Sequence, residues 1–255
     1  MNKSLKQSFI EKWNSYFNQA PLPVALFYSD DLHQAEPATK TAGHRCMIAD
    51  ISKVFGGKAL AFNQSNLGCG GGLRYCGYAD SLRPGFEYFL SYGIEGKMEG
   101  ERYKKDPDTV LELLKHTPSV KAPATWLIAK PFEKLDESDQ PEVILFFAPP
   151  DVLAGLFTLA NYDRTDLYGV KTPFSAGCGS IIQYPMQENM MENPDCILGM
   201  FDISARPYIK AGTISFAIPY KRFETLVGYM DESFLITGSW QKLARRISAD
   251  SKINC

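Results

Sequence analysis

The amino-terminal part of the chain carries an apolar residue at every fourth position, namely Leu5, Phe9, Trp13 and Phe17. This spacing places the four side chains on one face and predicts an amphipathic helix over residues 3–19, which Pro21 and Pro23 end. The clearest strand is predicted at residues 213–218, where apolar residues alternate with small or polar ones. The chain therefore combines helical and strand periodicities.

The same reading predicts the other elements. Strands are expected at residues 23–28, 59–63, 125–130, 143–148, 181–184 and 197–201, and helices at 45–54, 107–114, after Pro149, after Pro219 and over 239–247. Residues 65–80 are expected to form a glycine-rich loop, and residues 133–142 a hairpin connection. Because strands and helices are mixed without strict alternation, the pattern favours an α+β or α/β fold with a mixed sheet and flanking helices. We expect one compact domain over residues 1–255, with a two-lobed form as the alternative.

Composition narrows the function. The 255 residues include 27 Lys and Arg against 29 Asp and Glu, a net charge of −2. This balance argues against a generic nucleic-acid binder, which needs a positive surface. No segment approaches the ~20 apolar residues of a membrane helix, and the first residues show no signal-peptide core. We therefore expect a cytosolic protein, whose six cysteines are free thiols, metal ligands or redox groups rather than disulfides.

Four cysteines stand in unusual settings. Cys46 follows Gly-His-Arg at a predicted helix start, where positive charge and a helix N-terminus would lower a thiol pKa. Cys69 and Cys178 each lie in a Gly-Cys-Gly tripeptide, and Cys76 follows Cys69 after six intervening residues. Glycines beside a cysteine let backbone N–H groups turn toward the sulfur. The repeated tripeptide suggests a weak internal duplication around the two loops.

These residues lead to a first hypothesis, a cysteine-dependent metal or redox protein. Thiolates bind zinc and iron–sulfur clusters, so Cys46, Cys69 and Cys178 are candidate ligands, with Cys76 as a fourth. A redox partner would follow from that chemistry. The intervals of 22 and six residues between Cys46, Cys69 and Cys76 match neither a zinc knuckle nor a ferredoxin pattern. Buried structural thiols are the competing interpretation.

Two further hypotheses remain open. A non-catalytic module would bind an anionic small molecule, because successive N–H groups of a glycine-rich turn attract anions. Its candidate residues are Cys46, Cys69, Gly70, Gly71, Arg74 and Arg206. The loop matches neither the dinucleotide fingerprint nor the P-loop. The third hypothesis is a thiol enzyme with Cys46 as nucleophile and His44 as its helper.

A family resemblance adds to these residues. The matching features are Arg45-Cys46 with its helix, Gly56, Cys69 with its glycines and Gly77; then Pro141 to Pro150 and a helix to Ala160; then Cys178, Asp202 to Arg206, and Ile218-Pro219 with its helix. In this order, from Pro21 to Met230, the chain resembles the uncharacterised family called domain of unknown function 169. The resemblance implies no established activity and is compatible with a protein that only binds. Its pattern includes Cys46 and Cys69 and gives less weight to Cys76.

Overall fold

A computed structural model describes residues 1–39, 43 and 45–253, with side chains up to residue 247. The strands are β1 (Val24–Ser29), β2 (Glu36–Pro37), β3 (Leu60–Phe62), β4 (Gly93–Ile94), β5 (Met98–Glu99), β6 (Trp126–Pro131), β7 (Val143–Ala148), β8 (Val170–Lys171), β9 (Cys196–Gly199) and β10 (Ile214–Pro219). The helices are α1 (Lys3–Tyr16), α2 (Met47–Phe55), α3 (Gly70–Tyr75), α4 (Phe86–Leu90), α5 (Pro107–His116), α6 (Pro150–Ala160), α7 (Tyr184–Glu188), α8 (Tyr220–Tyr229) and α9 (Gly238–Ile253). A π-helical turn, Gly179–Gln183, runs directly into α7. We call this turn and α7 together the Cys178 helix, because Cys178 immediately precedes them.

Eight strands form one mixed sheet in the order β2-β3-β6-β1-β7-β10-β9-β8. The two outermost pairs, β2 with β3 and β8 with β9, are parallel, and the inner pairs are antiparallel. Strands β4 and β5 form a separate ribbon. Helices cover both faces of the large sheet, so the predicted mixed sheet with flanking helices is confirmed.

The two faces have different cores. On the first face, α1, α6, α8 and α9 pack over a core rich in aromatic side chains, where Trp13 stacks on Phe17 with ring centroids 4.1 Å apart. On the second face, α2, α3 and the Cys178 helix pack on an aliphatic core that includes Cys76 and Cys178. Because side chains alternate along each strand, Leu26 and Phe27 face opposite cores. The candidate cysteines of the helices thus share the second face.

The sheet repeats one topology in its two halves. Reading inward from each edge, the first half is β2-β3-β6-β1 and the second is β8-β9-β10-β7, with the same parallel and antiparallel pairings. The helix between the parallel strands is α2 in the first half and the Cys178 helix in the second. Cys46 and Cys178 therefore begin equivalent helices.

Strand register repeats as well. Val24 lies opposite Pro131 in the first half, and Val143 lies opposite Pro219 in the second. Farther out, Leu60 pairs with Ala129, and Ile197 pairs with Ala217, two residues before the respective prolines. In this repeat, Ala25 of β1 corresponds to Ile144 of β7. These two equivalent residues pair with each other where the two halves meet. A pseudo-two-fold axis therefore passes through this pair.

Three predicted elements are wrong. Residues 65–80 are not a loop throughout, because Cys69 caps a short helix, α3, which carries the glycines. The strand expected at residues 181–184 lies in the Cys178 helix; a short apolar run cannot distinguish a buried strand from a buried helix. Residues 133–142 do not close a hairpin, because β1 lies between β6 and β7. Strand β1 lies at the centre of the sheet and separates β6 from β7.

The strongest local signals are confirmed. Strand β10 is present at Ile214–Pro219. Helix α5 begins at Pro107, as predicted, and Asp106 caps it by accepting a hydrogen bond from the Thr109 N–H at 2.8 Å. Helix α1 ends at Tyr16, three residues early, because Asn18 and Gln19 adopt left-handed φ angles of 48° and 61°.

Candidate functional site

Cys46 is the cap of α2 and is half-buried. Burial raises the pKa of its thiol, and the neighbouring Cys69 and Asp202 add to this, although the Ile48 and Ala49 N–H groups act in the opposite direction. Arg45 does not offset the effect, because its Nε donates to Asp50 Oδ2 at 2.8 Å. The lowered pKa expected for a nucleophilic Cys46 is therefore wrong. The helper residue, His44, lies outside the described residues.

Cys69 begins α3, and its sulfur accepts a hydrogen bond from the Gly72 N–H at 3.1 Å. The residue before it, Gly68, accepts a hydrogen bond from the Arg45 N–H at 3.4 Å. A Cβ atom at Gly68 would lie only 3.1 Å from the Cβ of Arg45. The glycine thus allows the chain segments that carry Cys46 and Cys69 to pack backbone against backbone.

Cys76 lies at the other end of α3 and is fully buried. Its thiol donates to the sulfur of Met47 at 3.4 Å. Burial raises its pKa well above the ordinary value, and Cys69 adds to the shift. Cys76 therefore lies in the core of the second face, in contact with the first residue of α2.

Cys178 is also buried, and the N–H of the residue before it, Gly177, donates a hydrogen bond to Asp202 Oδ2 at 3.0 Å. Burial raises the Cys178 pKa well above its ordinary value, followed by the effects of Cys69, Cys76, Cys46 and Asp202. On its other side, a Cβ atom at Gly179 would lie 3.1 Å from the Tyr75 ring. This glycine lets α3 pack closely on the Cys178 helix.

The four thiols converge from three chain segments. Cys178 lies within electrostatic reach of the other three thiols, and Cys46 and Cys76 lie within reach of Cys69. Cys46, Cys69 and Cys178 each stand at a helix start, where unpaired N–H groups favour negative charge. Within the described part of the chain, no three His, Cys, Asp or Glu side chains are arranged to hold a metal ion. The four-cysteine metal site stays a prediction.

Cys196 provides a contrast. It is fully buried in β9 on the opposite face of the sheet, within the aromatic core. Burial raises its pKa to about 12, and the charged groups that affect it are Arg222, Asp195, Arg164 and Glu188, with no other cysteine among them. It is a structural thiol.

Apart from the two cysteines, the residues predicted to bind an anion lie on two elements, α3 and a short 3-10 helix. Gly70 and Gly71 form the first turn of α3, and a Cβ at either position would meet open space. Arg206 is half-buried in a short 3-10 helix, where its Nη1 donates to the Thr213 carbonyl at 2.5 Å. Arg74 is buried between α3 and the Cys178 helix, near Gln183. The anion site predicted from these residues stays a prediction.

Sequence reasoning missed two residues at this site. Asp202 is noticed only as part of a resemblance, because its hydrogen bond with the Gly177 N–H joins residues 25 positions apart in the chain. Gln183 falls inside a predicted apolar strand, yet it is fully buried. A lone amide in an otherwise apolar run was the available signal, because buried polar groups need a partner.

Comparison with known proteins identifies the family of the chain. No helix in the described residues has the length and apolar character needed to cross a bilayer. No curated protein and no solved structure matches the chain. A family model described as DUF169, "Uncharacterised ArCR", matches residues 17–228. With most of its length matched in this way, the chain belongs to the domain of unknown function 169 family.

Proposed function

We propose that the protein binds a thiophilic metal, as zinc or as an iron–sulfur cluster, through Cys46, Cys69 and Cys178, with Cys76 as the inner fourth thiol. The observation that carries the proposal is that thiols from distant segments lie within electrostatic reach of one another, with Cys46, Cys76 and Cys178 in or against the core of one sheet face. Three of the thiols also stand at helix starts, a placement that packing alone does not require. Helix N-termini would stabilise the negative charge of a metal–thiolate centre.

The electrostatics define how such binding would depend on pH. Burial favours the protonated thiols of Cys46, Cys76 and Cys178 in the metal-free protein, because it raises their pKa values above the ordinary value. A metal must displace those protons, so binding releases protons and tightens as pH rises. The thiols must also draw closer than they stand in the described geometry.

We also infer that the chain arose by internal duplication, since topology and register repeat across the pseudo-two-fold axis. In that repeat, Cys46 corresponds to Cys178. Cys69 and Cys76 lie in the long segment between β3 and β6, whereas a short connection joins β9 to β10. The proposed centre therefore combines a symmetric thiol pair with donors from one insertion.

The test is anaerobic purification of the full chain, followed by elemental analysis and a visible spectrum. We expect stoichiometric metal in the wild type, and loss of most of it in Cys46→Ser, Cys69→Ser and Cys178→Ser. The matched control is Cys196→Ser, a buried thiol on the opposite face, which should retain the metal. Metal-free protein, both as purified and after reconstitution with zinc or with iron and sulfide, would overturn the proposal. That result would favour the alternative, an anion-binding module or regulatory subunit without catalysis.

A further inference from the structure

A buried arginine on the second face has no acidic partner among the residues that the structure describes. The side chain of Arg74, in the last turn of α3, is 8% exposed. Its Nη2 donates to the Pro118 carbonyl at 3.0 Å, whereas its Nη1 is buried without a hydrogen-bond partner. In the described residues, no carboxylate forms an ion pair with it, unlike the buried Arg222, which pairs with Asp163. The guanidinium charge of Arg74 is therefore uncompensated.

Gln183 supplies a second unpartnered atom beside it. Its Nε2 donates to the same Pro118 carbonyl at 2.6 Å, and its Oε1 is buried without a partner. The amide orientation is fixed, because a carbonyl can only accept, so the nitrogen must face Pro118. Tyr75 and Tyr184 both lie near Arg74, and the nearby Ser175 hydroxyl is also buried without a hydrogen-bond partner among the described residues. Arg74 of α3 and Gln183 of the Cys178 helix thus meet at the Pro118 carbonyl, and the position beside their two unpartnered atoms is the candidate site.

The two free atoms specify what would fill that position. Arg74 Nη1 needs an acceptor, and its charge needs an anion; Gln183 Oε1 needs a donor. A water molecule would satisfy both hydrogen bonds but would leave the buried charge uncompensated, which is strongly unfavourable. An oxyanion that also carries an O–H or N–H group satisfies all three requirements.

We propose that Arg74 and Gln183 form a buried receptor for the oxyanion group of a small molecule, either a monohydrogen phosphate or a carboxylate beside a hydroxyl or ammonium group. The site uses no cysteine, so it stands whether or not the thiols hold a metal. It lies beside Cys178 through Tyr75, whose ring packs on Gly179. The ligand would therefore be held next to the thiol cluster.

The test measures thermal unfolding and calorimetric binding with four anions in a Tris–chloride buffer. Phosphate and glycolate offer a donor beside the anionic oxygens, whereas sulfate and acetate at pH 7 do not. We expect the first two to raise the unfolding midpoint, by about 5–10 °C at a hundredfold excess over their Kd. Sulfate and acetate should act more weakly. If phosphate and glycolate leave the midpoint unchanged, the proposal is wrong.

Variants locate the effect. Arg74→Met should weaken phosphate binding by about tenfold to a hundredfold, the usual effect of losing a charged hydrogen bond, and it should unfold at a higher temperature than the wild type without oxyanion. Gln183→Met, which leaves the charge of Arg74 in place, should abolish the preference for phosphate over sulfate. Arg206→Met is the matched control, because its guanidinium is used by Thr213. An unchanged phosphate response in Arg74→Met, or an equal loss in Arg206→Met, would overturn the assignment.

Discussion

Replacing Gly68 by alanine tests whether the Cys46 and Cys69 segments pack as the structure shows. The new Cβ would lie 3.1 Å from the Cβ of Arg45 and 3.3 Å from its backbone N and O. Two of these three atoms belong to the backbone, so the neighbour cannot rotate away. Gly71→Ala is the matched control, because a Cβ there meets nothing within 4 Å.

The two substitutions should change the free energy of unfolding in opposite directions. Overpacking at Gly68 is expected to cost about 2 kcal/mol. At Gly71, in the first turn of α3, alanine restricts the unfolded chain and favours the helix, which stabilises by about 0.5 kcal/mol. Neither glycine has a positive φ angle, so backbone strain does not enter. For a chain of this size, the unfolding midpoint should fall by about 4–8 °C in Gly68→Ala and rise by about 1–2 °C in Gly71→Ala.

The assay is urea and thermal unfolding followed by tryptophan fluorescence, with metal content measured on the same preparations. If Gly68→Ala is as stable as the wild type, the two cysteine segments are not in contact and the convergence fails. If Gly71→Ala is destabilised, α3 does not form as described. Metal loss in Gly68→Ala alone would further link the packing to the proposed centre.

Three other outcomes follow from buried charges and thiols. Asp139→Ala should destabilise by about 3–5 kcal/mol in urea unfolding, because it leaves the buried Lys130, 2.8 Å away, with only the partly exposed Asp136; Lys130→Met should cost less. Burial raises the Cys196 pKa from 9.0 to about 12. The stability that the protonated thiol contributes is therefore complete below pH 9 and is lost as pH rises toward 12. Between pH 8 and pH 10.5, the free energy of unfolding should fall by about 2 kcal/mol less in Cys196→Ala than in the wild type. In metal-free protein at pH 7.5, iodoacetamide should modify Cys46 before the other described cysteines, because those are buried. Cys46 should still react more slowly than free glutathione, because burial raises its pKa. Peptide mapping that finds Cys69 labelled before Cys46 would contradict this.

Local signals in the sequence were enough for most elements but not for their arrangement. The alternation around Phe216 and the Asp106–Pro107 start of α5 depend on neighbours within a few residues, so both are confirmed. The position of β1 between β6 and β7 depends on pairings across about a hundred residues, which no local pattern encodes. The run at Ile181 has a strand's composition, and only its packing against β9 and β10 decides that it is helical.

The candidate site shows the same division. Its cysteines were predictable as residues in unusual settings, and Arg74 as a charge beside glycines. The role of these residues could not be predicted, because Arg74 becomes notable only once the fold buries it without a carboxylate partner. Arg206 has an equally suggestive sequence context, yet it binds its own loop at Thr213. The glycines, predicted to turn N–H groups toward sulfur, do so at Gly72, whereas Gly68 and Gly179 serve close packing.

The pseudo-symmetry of the sheet also explains why the two equivalent cysteines differ in exposure. Helix α3, in the insertion between β3 and β6, packs on the Cys178 helix through Tyr75 and Gly179, and Cys178 is 5% exposed. Cys46 begins the equivalent helix and remains half-buried. Of the four thiols, Cys46 is therefore the one that solvent reaches most easily. The insertion that supplies two of the four candidate thiols thus also covers the Cys178 side of the proposed centre.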